Sequence, residues 1–443
     1  MLANFEALQA LQAYLWVGDA NCSVNRYVRF WRPSHTQAGK PLLGSADAWV
    51  EGARLANHCK MRQIPLLTNS MSALFSPYTL RGPDAALVLP NRIVVAPMCQ
   101  YAATEGQAND WHLMHWGNLL NSGAAMFTIE ATAVVPEGRI TPACLGLWDE
   151  ATEVALRTHL HRARKLAPEV AVCIQLAHAG RKASSAVPWA GGQLLGSAQG
   201  GWPTLGPSAL PQLPAEPPPQ AMDRAALDRV RDAFVLAAQR AHALGVDAIE
   251  IHSAHGYLLH EFLSPIANQR VDAYGGSLEN RMRFPLEVFA AVRKAYGGVL
   301  GLRVSASDWV EGGWDAAQSI EFARQLQGLG CSFIHVSSGG VSPQQKIALG
   351  PNYQVGFASD IRKAVGMPTV AVGLITEAQQ AEAILQAGDA DLIALARAFL
   401  YQPRWGWQAA AALEGEVAAH PAYWRCLPRQ AQSVFGKVSV GGR

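Results

Sequence analysis

The sequence predicts an α/β protein built as a (β/α)8, or TIM, barrel, and three observations carry that expectation. Eight short, nearly continuously apolar and β-branched runs recur from about Arg92 onward, as parallel strands covered by helices require. Longer amphipathic segments with helix start and stop residues separate these runs. No G-x-G-x-x-G loop follows the first run, so the competing open, doubly wound sheet lacks its phosphate loop.

The predicted strands are residues 92–96, 125–131, 170–176, 247–252, 299–304, 332–337, 368–372 and 391–395. The best marked helix starts at Asp223, whose carboxylate can cap the amino end. Leu227, Val230, Phe234, Ala237, Ala241 and Leu244 then recur every three or four residues, and Gly245 stops it. Asp315 with Gln318, and Thr376 with Gln379, predict two further capped starts, the second helix ending at Gly388. Residues 180–221 form a long connection after the third strand, with seven prolines between Pro203 and Pro219. Because it leaves a strand's carboxyl end, it is expected to form a lid over the barrel mouth. Residues 1–70 carry one short amphipathic stretch (Phe5, Leu8, Leu11, Leu15) and no barrel pattern. They read as an extension of unknown role, or as a start-site artefact if translation begins at Met71, leaving residues 71–443 as the barrel domain.

Composition narrows the function. Of 443 residues half are apolar and 16% charged, so a large core can be buried, and 36 basic against 34 acidic side chains give a net charge of +2. No clustered cationic excess marks a nucleic-acid or anionic-membrane surface. No uncharged apolar run reaches the ~20 residues of a membrane span. The first basic residue is Arg26, and Glu6 interrupts the first apolar stretch, which suits neither a secretory signal nor a transit peptide. Seven scattered cysteines without a CxxC pair point to a reduced, cytoplasmic setting.

In a barrel the reactive groups stand at the carboxyl ends of the strands. Those ends read Pro97-Met98-Cys99, Glu130-Ala131, Gln175 with His178, His252 with His255, Arg303, Ser337 to Gly340, Gly373, and Ala396-Arg397. Two histidines three apart, followed by Tyr257, can offer paired N–H donors to one oxygen. They can equally serve as metal ligands or pack structurally. His112 and His115 share that spacing in a Trp-flanked apolar segment and read as a packed helix surface. Gly339-Gly340, Gly373 and Arg397, beyond the last three strands, suit phosphate. Gln175 and Arg303 could hydrogen-bond a polar heterocycle and stabilise negative charge on it, or Arg303 could be a buried structural partner. Cys99 is a small core thiol unless a base stands beside it.

Taken together, residues 92–101 (RIVVAPMCQY), 130–134 (EATAV), 175–182 (QLAHAGRK), 251–265 (IHSAHGYLLHEFLSP), 272–277 (DAYGGS) and 303–307 (RVSAS) resemble the old yellow enzyme family of flavin-dependent ene-reductases. The likeness runs from about Leu74 to Arg425. Cys99, Tyr101 and residues 337–340 resemble its YqjM-like and xenobiotic-reductase-like branch. The resemblance implies one non-covalent FMN, reduced by NADPH or NADH. Pro97, Met98, Cys99, Ala131, Gln175 and Arg303 would line the isoalloxazine, and Gly373, Ala396 and Arg397 would hold the phosphate. His252 and His255 would clamp the carbonyl of an electron-poor alkene, Tyr257 would donate the proton and Tyr101 would help bind substrate. Cys99 would tune the flavin and touch ligand rather than act as nucleophile. Tyr423-Trp424-Arg425 is similar to a tail segment that reaches a neighbouring subunit's site, which implies substrate contacts from Trp424 and Arg425 and a homodimer or homotetramer. Where the family has glycine before the phosphate arginine, this chain has Ala396, tolerable if the backbone there avoids φ > 0. The implied activity is reduction of α,β-unsaturated carbonyl compounds, with nitro compounds and other xenobiotics as further acceptors. Two alternatives stand beside it: a metal-dependent barrel hydrolase using His252 and His255, and a flavin NAD(P)H oxidase that reduces no enone. An iron–sulfur relative is disfavoured because Cys426 stands alone beyond the barrel.

Overall fold

Each of the eight apolar runs becomes a strand, and the strands close on themselves. The computed structural model describes residues 72–167 and 169–438, so the extension expected over residues 1–70 lies outside the described residues. A hairpin of β1 (Tyr78–Arg81) and β2 (Ala86–Leu89) precedes the barrel strands β3 (Ile93–Val95), β4 (Met126–Ala133) and β5 (Ala171–Ala177). After β5 a two-residue pair, β6 (Leu205–Gly206) and β7 (Gln220–Ala221), lies within the connection. The barrel resumes with β8 (Ala248–Ser253), β9 (Val299–Ser305), β10 (Phe333–Ser337), β11 (Thr369–Ala371) and β12 (Leu392–Leu395). All neighbours are parallel, and β12 pairs β3 through Ile393↔Ile93 to close the ring. Boundaries agree with the apolar pattern to within two residues, the longest overrun being β4.

Strand parity sorts the core. Val94, Met126, Cys173, Ala248, Val299, Phe333, Val370 and Leu392 fill the barrel interior, plugged at the amino end by Leu80 and Leu89 of the hairpin. The alternate residues, among them Ile93, Ile174, Ile249, Leu302 and Ile334, pack outward against Leu156, Phe234, Val288 and Phe322 of the surrounding helices. Phe333 reaches across to where a side chain at Gly301 would stand, since a Cβ there would meet its ring at 2.3 Å. Following the inward parity toward the carboxyl ends, the residues turn polar: Gln175, Glu250, Arg303 and His335 are all buried. The same alternation that builds the core therefore delivers the site.

The helices follow their punctuation. They are α1 (Asp110–Leu120), α2 (Glu150–Arg164), α3 (Arg224–Ala243), α4 (Leu258–Leu263), α5 (Leu278–Ala295), α6 (Ala316–Gly328), α7 (Val355–Val365), α8 (Ala378–Gln386), α9 (Arg397–Tyr401) and α10 (Trp405–Ala412). Asp223 accepts from the Ala226 amide at 2.8 Å and opens α3, which buries Leu227, Val230, Phe234, Ala237 and Ala241. Asp315 caps α6 through the Gln318 amide, but the Gln318 side chain turns instead to Gly313 O. At α8 the expected start shifts by one residue. Glu377 is the cap and Gln380 reaches back, its Oε1 accepting from the Thr376 and Glu377 amides. The inward stripe of Ala378, Ala381, Ile384 and Leu385 leaves Gln379 exposed, so it is Gln380 that can fold over the helix end.

The proline-rich connection is ordered. Arg181 Nη2 donates to Val341 O at 2.7 Å, Trp202 Nε1 to Glu137 O at 2.8 Å, and Arg270 Nη1 to Pro207 O and Met222 O at 2.9 and 2.7 Å. Side-chain donors thus tie the connection to its neighbours where its prolines bring no backbone N–H to pair.

Candidate active site

At the floor of the barrel mouth, Gln175 on β5 stands in register with Glu250 on β8, and its amide donates to Glu250 Oε1 at 2.6 Å. The other carboxylate oxygen lies 2.8 Å from His335 Nδ1. Burial opposes the charge on Glu250, but His335, Arg303 and Gln175 outweigh it and hold the carboxyl below its usual range. Burial and Arg303 push His335 down, so this layer pairs a carboxylate with a guanidinium around a neutral imidazole. Arg303 is itself buried, and its Nε has no hydrogen-bond partner among the described residues. A buried N–H of that kind needs an acceptor.

Above this layer β8 ends in a tight turn. His255 takes φ +59° and Gly256 φ +73°. A histidine in the left-handed region is uncommon and persists only where its surroundings enforce it. Here Lys182 Nζ donates to His255 O at 2.8 Å and Gly340 O at 3.0 Å, and the His255 amide donates to Ser305 Oγ at 2.9 Å. The Gly256 amide donates to His260 Nδ1 at 2.8 Å, which leaves the proton of His260 on Nε2, 2.9 Å from Asp308 Oδ1. His260 and Asp308 are both fully buried.

The imidazoles of His252 and His255 lie edge to face, 5.2 Å between centroids. The Ala254 amide donates to His252 Nδ1 at 3.2 Å, so the neutral ring carries its proton on Nε2, 3.4 Å from His255 Nδ1. Burial first, then the Arg303 charge, pushes both histidines well below their usual value and keeps them neutral. Tyr257 stands edge-on to His252 at 5.0 Å, and burial pushes its phenol well up. On β3's side of the mouth, Tyr101 takes φ +51° two residues beyond Cys99. Burial pushes the Cys99 thiol far above its usual value, so Cys99 is protonated and a poor nucleophile. Pro97, Met98 and Ala131 follow from the same two strands, Ala131 at a register shift in β4. Glu130 turns away to His112 on α1, whose Nε2 lies 3.6 Å from it. His112 and His115 are buried helix residues, as their setting predicts.

Beyond β10 to β12 a cavity of about 210 Å³ is lined by Arg303, Tyr353, Gly373, Ala396 and Arg397. Gly373 sits at φ +129°, and a Cβ there would come 2.8 Å from Gln354 Nε2, itself tied to Val372 O. Ala396 has φ −110°, so its methyl group incurs no left-handed strain. Gly339 and Gly340 need correction, because neither lines this cavity. Gly340, at φ +100°, lets the chain pass the His255 turn, where a Cβ would meet the backbone at 2.5 Å. Within one chain Trp424 stands away from the mouth, and the neighbouring Arg425 is exposed. Trp424 Nε1 donates to Ala419 O, and its ring lines a groove with Leu120, Lys165 and Val170 at the amino end of β5.

Sequence reasoning passed over Lys182, Glu250, His260, Asp308 and His335. Glu250 and His335 could have been found by continuing the inward parity of β8 and β10. Lys182, His260 and Asp308 bond across elements, and no local pattern announces that. Among the described residues no group of three or more His, Cys, Asp or Glu could hold a metal ion.

A family model for NADH:flavin oxidoreductases and NADH oxidases matches residues 73–416. The chain belongs to that family. It is 41% identical over 361 residues to an NADPH dehydrogenase of Geobacillus thermodenitrificans, covering 80% of this chain and 98% of the relative. A Bacillus licheniformis NADPH dehydrogenase is 42% identical over 354 residues with the same coverage. Among solved structures, morphinone reductase superposes with a TM-score of 0.64 at 26% identity, covering 80% of this chain and 93% of that one. A further structure of that enzyme is a complex with tetrahydroNAD, with a TM-score of 0.63. The likeness to the old yellow enzymes therefore holds. The protein is an NADPH dehydrogenase-type oxidoreductase that uses FMN with a nicotinamide as reductant. The mouth fits that cofactor: Arg303 offers an unpaired buried N–H, and Gly373 and Arg397 form a cradle that a side chain at 373 would fill.

Proposed function

We propose that this family member is an ene-reductase, taking electrons from NADPH or NADH and delivering them to the activated C=C bond of α,β-unsaturated carbonyl compounds, with nitro compounds and other xenobiotics as further acceptors. The observation that carries the reading is the pair of buried, neutral imidazoles beside the Tyr257 phenol. Neutral N–H groups polarise a carbonyl without surrendering a proton, and their attraction grows as negative charge develops on that oxygen. Gln175, Arg303, Pro97, Met98, Cys99 and Ala131 would hold the isoalloxazine, with Gly373, Ala396 and Arg397 at the phosphate. FMN, when bound, supplies the hydride. The protein's part is then orientation by His252 and His255, substrate contact by Tyr101, and proton donation by Tyr257, which its raised pKa keeps protonated. Family membership sets aside the hydrolase alternative. We further propose a cytoplasmic homodimer or homotetramer whose catalytic domain is residues 71–443, with Trp424 and Arg425 reaching a neighbouring subunit. No helix among the described residues is long and apolar enough to cross a membrane.

The test is anaerobic reduction by NADPH or NADH followed by cyclohexenone, read by flavin absorbance. Prompt reoxidation supports ene-reduction, whereas a flavin that only oxygen reoxidises would favour an NAD(P)H oxidase. Light scattering that gives a monomer mass would remove the intersubunit role of the tail.

A further inference from the structure

Two large apolar side chains of the lid stay exposed, Trp189 and Leu213, and Trp189 is the more exposed. Trp189 is 72% exposed, yet its ring meets Tyr101 edge to face, 5.9 Å between centroids. It stands at the tip of a narrow excursion whose neck is stitched across. The Ala186 amide donates to Gln193 O at 2.8 Å, and the Leu195 amide to Ser184 O at 2.7 Å. Ser184 is buried and accepts from the Trp202 amide at 2.8 Å, while the Ser185 amide donates to Ile140 O at 2.8 Å. Pro188 sets the turn that carries Trp189, and Gly191 and Gly192, both at positive φ, bring the chain back. The indole is therefore held on an anchored neck.

The other side of that contact belongs to the mouth. Tyr101 sits at φ +51° two residues beyond Cys99, just after β3. Tyr101 and Trp189 thus make an L-shaped aromatic wall, 75° between ring planes, on β3's side of the mouth. An exposed aromatic gains most by burying its free face against another flat ring. A small cyclic enone is fixed by its carbonyl alone. A substrate bearing an aryl group or fused rings extends beyond the clamp, toward the wall.

Resting on the ene-reductase reading, we propose that Trp189 is a specificity-determining residue that selects enones carrying a planar aromatic or polycyclic body. The indole supplies a stacking face for that body, while His252 and His255 hold the carbonyl end. Its contribution is to binding and not to the chemical step, so it acts on KM and leaves kcat in place.

The experiment compares FMN-loaded wild type with Trp189→Ala and Trp189→Phe, using cyclohexenone and 4-phenyl-3-buten-2-one. For Trp189→Ala the KM of the aryl enone is expected to rise about tenfold, as loss of an aromatic pair with its buried area implies, with kcat within about twofold of wild type. Cyclohexenone parameters should stay within about twofold, and Trp189→Phe should recover most of the loss. Titration of the oxidised flavin spectrum with the aryl enone should show the same tenfold weakening without turnover. Equal losses for both enones, an unchanged aryl enone KM, or a changed assembly mass in Trp189→Ala would each overturn the assignment. Wild type that neither enone reoxidises would instead bring down the ene-reductase reading, and this proposal with it.

Discussion

On the proposed ene-reductase reading, the two imidazoles would clamp a carbonyl without carrying charge. Burial and Arg303 keep His252 and His255 neutral, and the amide of Ala254 settles which nitrogen of His252 bears the proton. His252→Ala is expected to slow reoxidation by cyclohexenone about 30- to 1000-fold, the ~2–4 kcal/mol typical of one lost oxyanion donor. Stopped-flow flavin absorbance reads it directly. Because neither ring takes up a proton in the ordinary histidine range, the same rate should stay flat from about pH 7.5 to 5.5. A sigmoid centred near pH 6.5 would reveal a cationic clamp. These residues were legible because strand-end position and three-residue spacing are local. Lys182 was not, although its ammonium ties His255 O to Gly340 O, because the bond spans three separate segments.

Between elements, two glycines look alike in the sequence and do different work. Gly340 gives way to the His255–Gly256 turn, since a Cβ at Gly256 would lie 2.1 Å from Gly340 O and one at Gly340 would strike His255. Gly373 instead keeps the cavity beyond β11 open beside Gln354. Gly373→Ala should therefore lower the flavin-to-protein absorbance ratio of the purified protein. Gly340→Ala should retain more flavin but lose enone reoxidation, with a positive-φ cost of about 1–3 kcal/mol visible as a reduced Tm. The reverse ranking of flavin content would contradict this division. A glycine run after a strand reads equally well as a phosphate loop or a close backbone crossing. The one-residue shift at α8 has the same origin, since the buried stripe decides which glutamine is free to fold back.

Across the whole molecule, burying neutral histidines makes the barrel acid-sensitive. Burial depresses His115 to about 4 and His178 to about 3, and His252, His255 and His335 are lowered as well. As pH falls below ~6.5 the unfolded chain gains protons that the folded barrel refuses, so stability drops by up to ~1.4 kcal/mol per pH unit for each such group. Glu261 works the other way. Burial raises it to about 8, so its contribution is full below ~4.5 and fades as pH rises toward 8. Glu130, also raised by burial, acts with it, and two carboxyls against five imidazoles leave the histidines dominant between about pH 6.5 and 4.5. Urea unfolding should give a clearly lower stability at about pH 5 than at about pH 7. Equal values would mean that water or a counter-ion reaches these rings.

By itself the sequence determined the eight strands, the starts of α3 and α6 and the residues at the strand tips, because alternation, capping and strand polarity are local and repeat without knowledge of partners. The tertiary structure alone decided which of those tips meet. Ring closure puts Gln175 beside Glu250 and His335 beside Arg303, and the crossing of Gly340 over His255 makes a loop glycine part of the His255 turn's packing. Such pairings depend on register around a closed sheet and on loops that fold back from distant segments, and no window along the chain contains both partners.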